Sequence, residues 1–170
     1  MSQSAYAIGH QQPDTDTIIS AIALARLKRA QGGDVVAGRA GELNPETEFV
    51  LERWGVDAPT LLEDATDAEL LLVDHNEYSQ TVSGAREATI TQVVDHHRIG
   101  DVTTGDPISF RAEPVGSTGT ILTGLYDEAG VDIDEETAGL LLSGLLSDTV
   151  VLRSPTTTDT DREVAERLAE

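Results

Sequence analysis

The stretch that most constrains this chain is residues 9–17, which read Gly-His-Gln-Gln-Pro-Asp-Thr-Asp-Thr. It follows a short apolar run and opens a helical pattern, so it lies at a predicted strand-to-helix turn. The turn contains one imidazole, His10, and two carboxylates, Asp14 and Asp16. Open α/β sheets place their sites at such turns. An imidazole with several carboxylates suits a divalent metal ion of the Mn, Fe, Co or Zn kind.

Helix capping is the alternative explanation for the acidic residues of this turn. An aspartate before a helix often accepts a hydrogen bond from the free backbone N–H groups of the first turn. Only one of Asp14 and Asp16 can occupy that position, however, and capping does not account for His10. Both interpretations stay open for each aspartate taken alone.

Predicted strands and helices alternate along the chain. The strands cover residues 5–9, 35–37, 69–73, 90–94 and 108–111, and the helices cover residues 15–30, 45–54, 117–129 and 135–147, with a last helix around residues 164–168. Such alternation is typical of βαβ units. We therefore expect an α/β fold with a mostly parallel central sheet of about five strands and helices on both faces.

The charge of the chain limits its partners. It has 31 acidic and 11 basic residues, a formal net charge of -20. A nucleic-acid-binding surface needs a basic stripe, so we expect no nucleic acid partner. The carboxylates are spread through patterned segments, and we interpret most of them as an acidic coat of the kind that suits high salt. The hypothesis is a halophilic protein that folds well only in salt.

Size and residue usage favour one domain in the cytoplasm. A chain of 170 residues can bury a core of its own. No apolar run approaches the roughly 18 residues of a membrane helix, and the N-terminus lacks the pattern of a signal peptide. Cysteine is absent, which excludes disulfides and thiolate metal sites. We expect no membrane partner.

All four histidines lie in polar clusters. Besides the turn at residues 9–17, these clusters are residues 74–77, which contain His75, and residues 95–98, which contain His96 and His97. Each follows a predicted strand directly, and a fourth cluster, Asp148-Thr149, ends an apolar helix. Because the carboxyl ends of parallel strands lie side by side, we expect these clusters to meet.

Six side chains are candidate metal ligands: His10, Asp14, Asp16, Asp74, His96 and Asp148. Six ligands are too many for one catalytic ion and about right for two, which can share a carboxylate at a separation of about 3.5–4 Å. Alternatives remain at single positions. Asp74 is equally well explained as a helix cap, Asp95 as a carboxylate that orients a metal-bound histidine, and His75 as a packing residue.

Residues 113–120 open a predicted helix whose free N–H groups could hold an anion. An ordinary helix start capped by Ser117 is the favoured interpretation. Arg98 is one of the few cations close in sequence to the clusters. It could contact phosphate, although a single arginine near a site is more often a salt-bridge partner.

Five motifs together resemble the DHH phosphoesterase superfamily, and within it the family II, manganese-dependent inorganic pyrophosphatases. They are Gly-His-x-x-Pro-Asp-Thr-Asp-Thr, Val-Asp-His-Asn-Glu, Asp-His-His-Arg, Glu-Pro-Val-Gly-Ser-Thr and Ser-Asp-Thr, in the family's order over nearly the whole chain. The superfamily's phosphodiesterases resemble the first two motifs less well. Its polyphosphatase branch typically lacks the histidine that His10 supplies.

The resemblance implies two divalent ions per chain, Mn²⁺ before Co²⁺ or Mg²⁺. It implies two ligand sets that share one carboxylate: His10, Asp14 and Asp74 for one ion, and Asp16, Asp74, His96 and Asp148 for the other. His97 would join Asp14, Asp16 and Asp74 as a catalytic residue and would contact the substrate, with Arg98 beside it. Asp95 and His75 would support the ligands from behind. A hydroxide between the ions would attack pyrophosphate and release two phosphates.

The family also has a C-terminal domain whose Arg and Lys residues grip the diphosphate, and its members dimerise through the N-terminal domain. The resemblance covers only this N-terminal DHH domain, so we expect residues 1–170 to form a single domain and a homodimer. Without the positive clamp, we expect weak or no pyrophosphate hydrolysis by this chain alone. The alternatives are a phosphodiesterase acting on short nucleotides and a non-catalytic metal-binding or dimerisation module.

Overall fold

A parallel sheet of six strands forms the centre of the structure, a computed structural model that describes residues 5–170. In chain order its strands are β1 (Ala5–Ile8), β2 (Val35–Arg39), β3 (Thr60–Leu61), β4 (Glu69–Val73), β5 (Thr89–Asp95) and β6 (Ser109–Ala112). Their order across the sheet is β3-β2-β1-β4-β5-β6, and every neighbouring pair is parallel. The expected α/β fold is confirmed. The sixth strand is β3, whose two exposed residues carry no periodic pattern that a sequence could reveal.

Five helices accompany the sheet: α1 (Thr15–Ala30), α2 (Pro45–Trp54), α3 (Thr118–Ala129), α4 (Glu135–Asp148) and α5 (Asp159–Leu168). Their bounds follow local signals. Asn44 and Asp134 cap α2 and α4 by accepting a backbone N–H three residues on. Gly55 and Gly130 end α2 and α3 in the left-handed conformation that glycine adopts readily. None of these five helices combines the length and apolar character needed to cross a bilayer.

The five helices lie on one side of the sheet, so the expectation of helices on both faces is wrong. Ala7 and Leu71 point to the helical side, where they pack in one apolar cluster with residues of α1, α3, α4 and α5. Ile8 and Leu72 point to the other side, where the described members of their cluster come from strands and non-helical connections. Helix α2 packs outside α1 and α4 rather than on the sheet.

The handedness of the connections explains this one-sided arrangement. The chain steps in one direction from β1 through β2 to β3, and in the opposite direction from β3 through β4 and β5 to β6. Because crossovers between parallel strands are right-handed, reversing the direction moves the connections to the other face. Those connections, residues 62–68, 74–88 and 96–108, form turns and not helices. The reversal also leaves a crevice between the carboxyl ends of β1 and β4, where ligands bind in open α/β sheets.

A buried carboxylate, Asp161, ties the start of α5 to the start of α3. It accepts hydrogen bonds from the Gly116 N–H (2.8 Å), the Thr120 hydroxyl (2.6 Å), and the N–H and hydroxyl of Thr158 (2.7 Å each). Burial alone would raise the pKa of Asp161, but these hydrogen bonds hold it below its ordinary value. A Cβ at Gly116 would lie 2.9 Å from the carboxylate, so the chain passes here only as glycine.

We expect Asp161→Asn to lower the free energy of unfolding by about 2–4 kcal/mol at pH 7, because the amide places an N–H against donors. Asp159→Asn, at an exposed position of the same turn, should cost less than about 1 kcal/mol. The pKa of Asp161 is lower in the folded chain than the roughly 3.9 of an unfolded aspartate. Its contribution is therefore complete above that pH and is lost as the pH falls.

Urea unfolding in molar KCl at several pH values measures the free energy of unfolding of each variant and its pH dependence. The difference in this free energy between wild type and Asp161→Asn should become smaller from pH 7 toward pH 3. Equal losses in the Asp161 and Asp159 variants at pH 7 would contradict this account of the α3–α5 contact.

Candidate metal centre

The polar clusters of the sequence meet beyond the carboxyl ends of three adjacent strands. The turn after β1 and the start of α1 contribute three side chains, the ends of β4 and β5 contribute one each, and the end of α4 contributes the last: His10, Asp14, Asp16, Asp74, His96 and Asp148. Their ligand atoms form two groups in which all atoms lie within 4.8 Å of one another. The structure therefore brings all six candidate ligands together.

The first group joins His10, Asp14 and Asp74. The His10 Nε2 atom lies 3.5 Å from Asp14 Oδ2 and 3.5 Å from Asp74 Oδ2. Asp14 is also the N-cap of α1, because its Oδ1 accepts the Thr17 N–H at 2.9 Å. The two interpretations of Asp14 are thus compatible: one oxygen caps the helix and the other faces His10.

The second group joins Asp16, Asp74, His96 and Asp148. The His96 Nε2 atom lies 3.2 Å from Asp74 Oδ1 and 3.1 Å from Asp148 Oδ2. Asp74 belongs to both groups, with Oδ2 toward the first and Oδ1 toward the second. A further grouping adds the half-exposed His97 to Asp74 and His96.

Asp74 occupies an unusual backbone position at the end of β4. Its φ of 61° is in the left-handed region, which aspartate enters more readily than most residues. Its N–H donates to the Val94 carbonyl at 2.9 Å, which continues the pairing of β4 with β5. Burial alone would raise the pKa of Asp74, but His10 and His96 hold it far below its ordinary value. The carboxylate is therefore kept ionised inside the protein.

Asp16 is bound to the N-terminus of α3. Its Oδ1 accepts from the Ser117 hydroxyl (2.7 Å) and the Gly119 N–H (3.3 Å), and its Oδ2 accepts from the Thr118 N–H (2.8 Å). Ser117 also caps α3. Burial, together with the neighbouring Asp74 and Asp148 carboxylates, raises the pKa of Asp16 well above its ordinary value. The backbone N–H groups at this helix N-terminus are therefore bound by the Asp16 side chain, and they are not open to an anion from outside.

His96 provides a direct test of whether the site fits a cation. Its Nδ1 lies 2.9 Å from the Val115 carbonyl, which can only accept, so Nδ1 carries a hydrogen and Nε2 is the nitrogen that faces the carboxylates of Asp74 and Asp148. These carboxylates favour a proton on Nε2, and a bound cation would replace that proton and accept the Nε2 lone pair. A nitrogen surrounded by carboxylate oxygens, with the opposite nitrogen anchored to a carbonyl, is the arrangement of a metal-binding histidine.

The charge of the site gives a second test. Burial alone would lower the pKa of both candidate ligand histidines, but the surrounding carboxylates raise it to about 10 for His10 and about 11 for His96. The carboxylates thus attract positive charge strongly enough to overcome the cost of burial. Nitrogen and oxygen donors without sulfur suit Mn²⁺, Co²⁺ or Mg²⁺. The residues present fit divalent cations on both counts.

Asp95 lies behind the ligands and orients His97. Its Oδ1 lies 2.8 Å from His97 Nδ1 and accepts the His97 N–H at 3.1 Å, while its Oδ2 accepts the Asn76 amide at 2.5 Å. The hydrogen bond to Asp95 raises the pKa of His97. Asp95 therefore fixes Nδ1 of the half-exposed ring, and Nε2 is the nitrogen for which the described residues provide no hydrogen-bond partner.

His75 and Arg98 lie at the edge of the centre. The buried His75 ring has Nδ1 2.8 Å from the Val73 carbonyl and Nε2 3.1 Å from the Thr81 hydroxyl, so neither nitrogen is free to bind a metal. Burial lowers the pKa of His75. Arg98 is 83% exposed and pairs with Glu77 at 2.6 Å. It lines a cavity of about 340 Å³ beside His97.

Two hydroxyl residues at the centre were not identified from the sequence. Thr17 and Thr118 both donate to the Asp74 carboxylate. Both lie inside the motifs that carry the family resemblance, but threonine is common in the first turn of a helix, and nothing in the residue type indicates which carboxylate it contacts. Nor does the sequence indicate that Asn76 donates to Asp95.

Comparison with known proteins identifies the chain's relatives. It is 49% identical over 170 residues to the manganese-dependent inorganic pyrophosphatase of Methanothrix thermoacetophila, matching 99% of this chain and 55% of that protein. A solved Methanococcus jannaschii structure assigned to the family II inorganic pyrophosphatases superposes with a TM-score of 0.90 at 44% identity, covering 97% of this chain and 55% of the other. This chain spans about half the length of these relatives.

A more distant structure shares only the fold. An exopolyphosphatase-related protein from Bacteroides fragilis superposes with a TM-score of 0.73 at 16% identity, covering 98% of this chain and 52% of the other. The family model described as the N-terminal domain of the DHH family matches residues 4–145. Because residues 4–145 are well over half of the 170 residues of this chain, the chain belongs to the DHH family.

Proposed function

We propose that this chain binds two divalent metal ions, with Mn²⁺ the best suited, and provides the metal centre for hydrolysis of inorganic pyrophosphate to two phosphates. The observation that carries the proposal is the buried Asp74 carboxylate, which offers one oxygen to each of two ligand groups. His10 and Asp14 complete the first set. Asp16, His96 and Asp148 complete the second. The names of the relatives at 49% and 44% identity support pyrophosphate as the substrate.

When bound, the two ions would offer positive charge to phosphate oxygens and would lower the pKa of a bound water toward neutral pH. The aspartates of both sets would hold that charge inside an otherwise acidic protein. His97 would contact the substrate through Nε2, which can donate a hydrogen bond or a proton to a phosphate oxygen. Asp95, by holding Nδ1, would keep the ring in that orientation.

Residues 5–170 offer little positive charge to the substrate itself. Among the arginine and lysine residues described, only Arg98 lines the cavities next to the ligands, and Glu77 already pairs with it. A transferring phosphoryl group is stabilised by such cations. We therefore propose that efficient turnover needs cations from outside residues 1–170, and that this chain alone hydrolyses pyrophosphate weakly or not at all.

The remaining expectations stay predictions: a homodimer, a cytoplasmic location and a high-salt environment. The net charge of -20 supports the last of these. The names of the relatives at 49% and 44% identity favour pyrophosphate over the alternative of a phosphodiesterase on short nucleotides. A non-catalytic metal-binding module is the alternative that the sparse cations of the cleft favour.

Metal binding tests the two ligand sets separately. We expect two Mn²⁺ ions per chain by isothermal titration in molar KCl. His10→Ala should remove the first site and His96→Ala the second, each leaving one ion. The loss in affinity should exceed about 100-fold, because even the residues behind metal ligands contribute about 10–100-fold.

Asp74→Asn should weaken both sites, since it removes the shared carboxylate charge. Asp106→Asn, at an exposed position outside both groups, is the control and should leave two ions bound. A His10→Ala chain that still binds two ions would contradict the proposed ligand sets.

Activity tests the reaction. With Mn²⁺ in molar KCl, phosphate release from pyrophosphate should be slow for this chain and should rise on adding the other half of the Methanothrix relative. Asp14→Ala/Asp74→Ala should abolish it because both ions are lost, and His97→Ala should lower it by about 100-fold or more. Phosphate release that survives the double substitution would refute the proposed centre. Unaided turnover equal to the full-length relative would refute the need for outside cations.

Salt dependence tests the halophilic hypothesis. The melting temperature should rise between 0.1 and 2 M KCl, because salt screens repulsion between the surface carboxylates. Sucrose is the control, because it stabilises folded proteins without screening charge. It should raise the melting temperature of this protein less than KCl does. A melting temperature that does not change with KCl would overturn the hypothesis.

A further inference from the structure

We propose that Thr17 and Thr118 are positioning residues that fix the Asp74 carboxylate in a bridging orientation, with one hydroxyl on each oxygen. This inference rests on the proposed two-metal function and adds residues that act on the ions only through Asp74. The two hydrogen bonds explain why Asp74 directs one oxygen to each of the two ligand groups.

The contacts are short and fully buried. The Thr17 Oγ1 atom lies 2.6 Å from Asp74 Oδ2, and the Thr118 Oγ1 atom lies 2.9 Å from Asp74 Oδ1. Both threonines are at most 1% exposed. An ionised carboxylate has no hydrogen to give, so both hydroxyls must be the donors. Hydrogen bonds to a charged acceptor are about twice as strong as those between neutral groups.

Each Asp74 oxygen faces one hydroxyl and one ligand histidine. Oδ2 lies near Thr17 and 3.5 Å from His10 Nε2, and Oδ1 lies near Thr118 and 3.2 Å from His96 Nε2. A carboxylate oxygen has two lone pairs. One takes the hydroxyl hydrogen and the other stays available on the side of the histidine. Rotating the carboxylate to give both oxygens to one ion would break both hydrogen bonds.

The start of α1 holds Thr17 in place through a close contact with Gly9. A Cβ built at Gly9 would lie 2.1 Å from the Thr17 methyl carbon, so only glycine lets α1 approach this closely. With the methyl group packed against Gly9, the Thr17 hydroxyl is directed to Asp74. The Gly9 of the first motif therefore serves the orientation of a carboxylate on another strand.

Thr118 connects two ligands of the second group. Its backbone N–H donates to Asp16 Oδ2 at 2.8 Å while its hydroxyl donates to Asp74 Oδ1. The first residue of α3 thus fixes the relative position of two carboxylates that come from α1 and β4. Thr17 has the corresponding place beside the first group, since its own N–H donates to Asp14 Oδ1 at 2.9 Å.

The test replaces each hydroxyl and restores it. Thr17→Val and Thr118→Val remove the donor at nearly constant volume, and Thr17→Ser and Thr118→Ser keep it. Thr123→Val is the matched control, because Thr123 is a buried threonine of α3 whose hydroxyl donates to the Gly119 carbonyl instead. Mn²⁺ titration gives the affinity of each site, and electron paramagnetic resonance reports whether two bound ions are magnetically coupled through shared ligands.

We expect Thr17→Val to weaken Mn²⁺ binding at the His10 site by about 10–100-fold, and Thr118→Val to do the same at the His96 site. Coupling between the ions should fall in both variants. Thr118→Ser and Thr123→Val should stay within about 3-fold of wild type, well below the effect of removing a hydrogen-bond partner of a ligand. Thr17→Ser keeps the hydroxyl but loses the methyl group that packs against Gly9, so its affinity should lie between those of wild type and Thr17→Val. Rescue by serine separates orientation of Asp74 from loss of packing.

Alanine variants at both positions keep the test decisive if the extra methyl of valine prevents folding. Two coupled ions with unchanged affinities in the valine or alanine variants would overturn this inference and leave the proposed function standing. A wild-type chain that binds no coupled pair would instead overturn the proposed function.

Discussion

The structure depends on one constraint, a charged carboxylate that is buried where the strand order reverses between β1 and β4. An isolated carboxylate in the interior is very costly, yet Asp74 is 2% exposed at the end of a central strand. Its charge is offset by His10 and His96, and its oxygens are bound by two hydroxyls. These partners come from the turn after β1, the first turn of α1, the end of β5 and the start of α3. Compensation of one charge therefore brings together elements that are distant in the chain.

The fold serves this compensation through the direction of its connections. Strand β1 leads away toward one edge of the sheet and β4 toward the other, which opens the crevice that Asp74 and His10 share. The N-terminus of α3 enters the same crevice and binds Asp16. Asp161 secures that helix start from behind by accepting the Gly116 N–H. The candidate metal centre is therefore bordered by ordered elements on three sides.

Most of this arrangement was predictable from residue types, because ligand side chains follow apolar strands at regular places. The structure brings the six candidate side chains close together in two groups, and their role as metal ligands stays a prediction. What the sequence did not reveal depends on long-range geometry. The placement of helices on one side follows from crossover direction, which no local pattern encodes. The two-residue strand β3 has no periodicity. Thr17 and Thr118 are typical residues for the first turn of a helix, and only the folded structure shows that their hydroxyls donate to Asp74.

The most direct test of the two-metal centre is a crystal structure of the chain grown with Mn²⁺, with data collected at the manganese absorption edge. We expect two anomalous peaks about 3.5–4 Å apart. One should lie among His10, Asp14 and Asp74, and the other among Asp16, Asp74, His96 and Asp148, with one Asp74 oxygen on each ion. A single peak, or an Asp74 that gives both oxygens to one ion, would contradict the account.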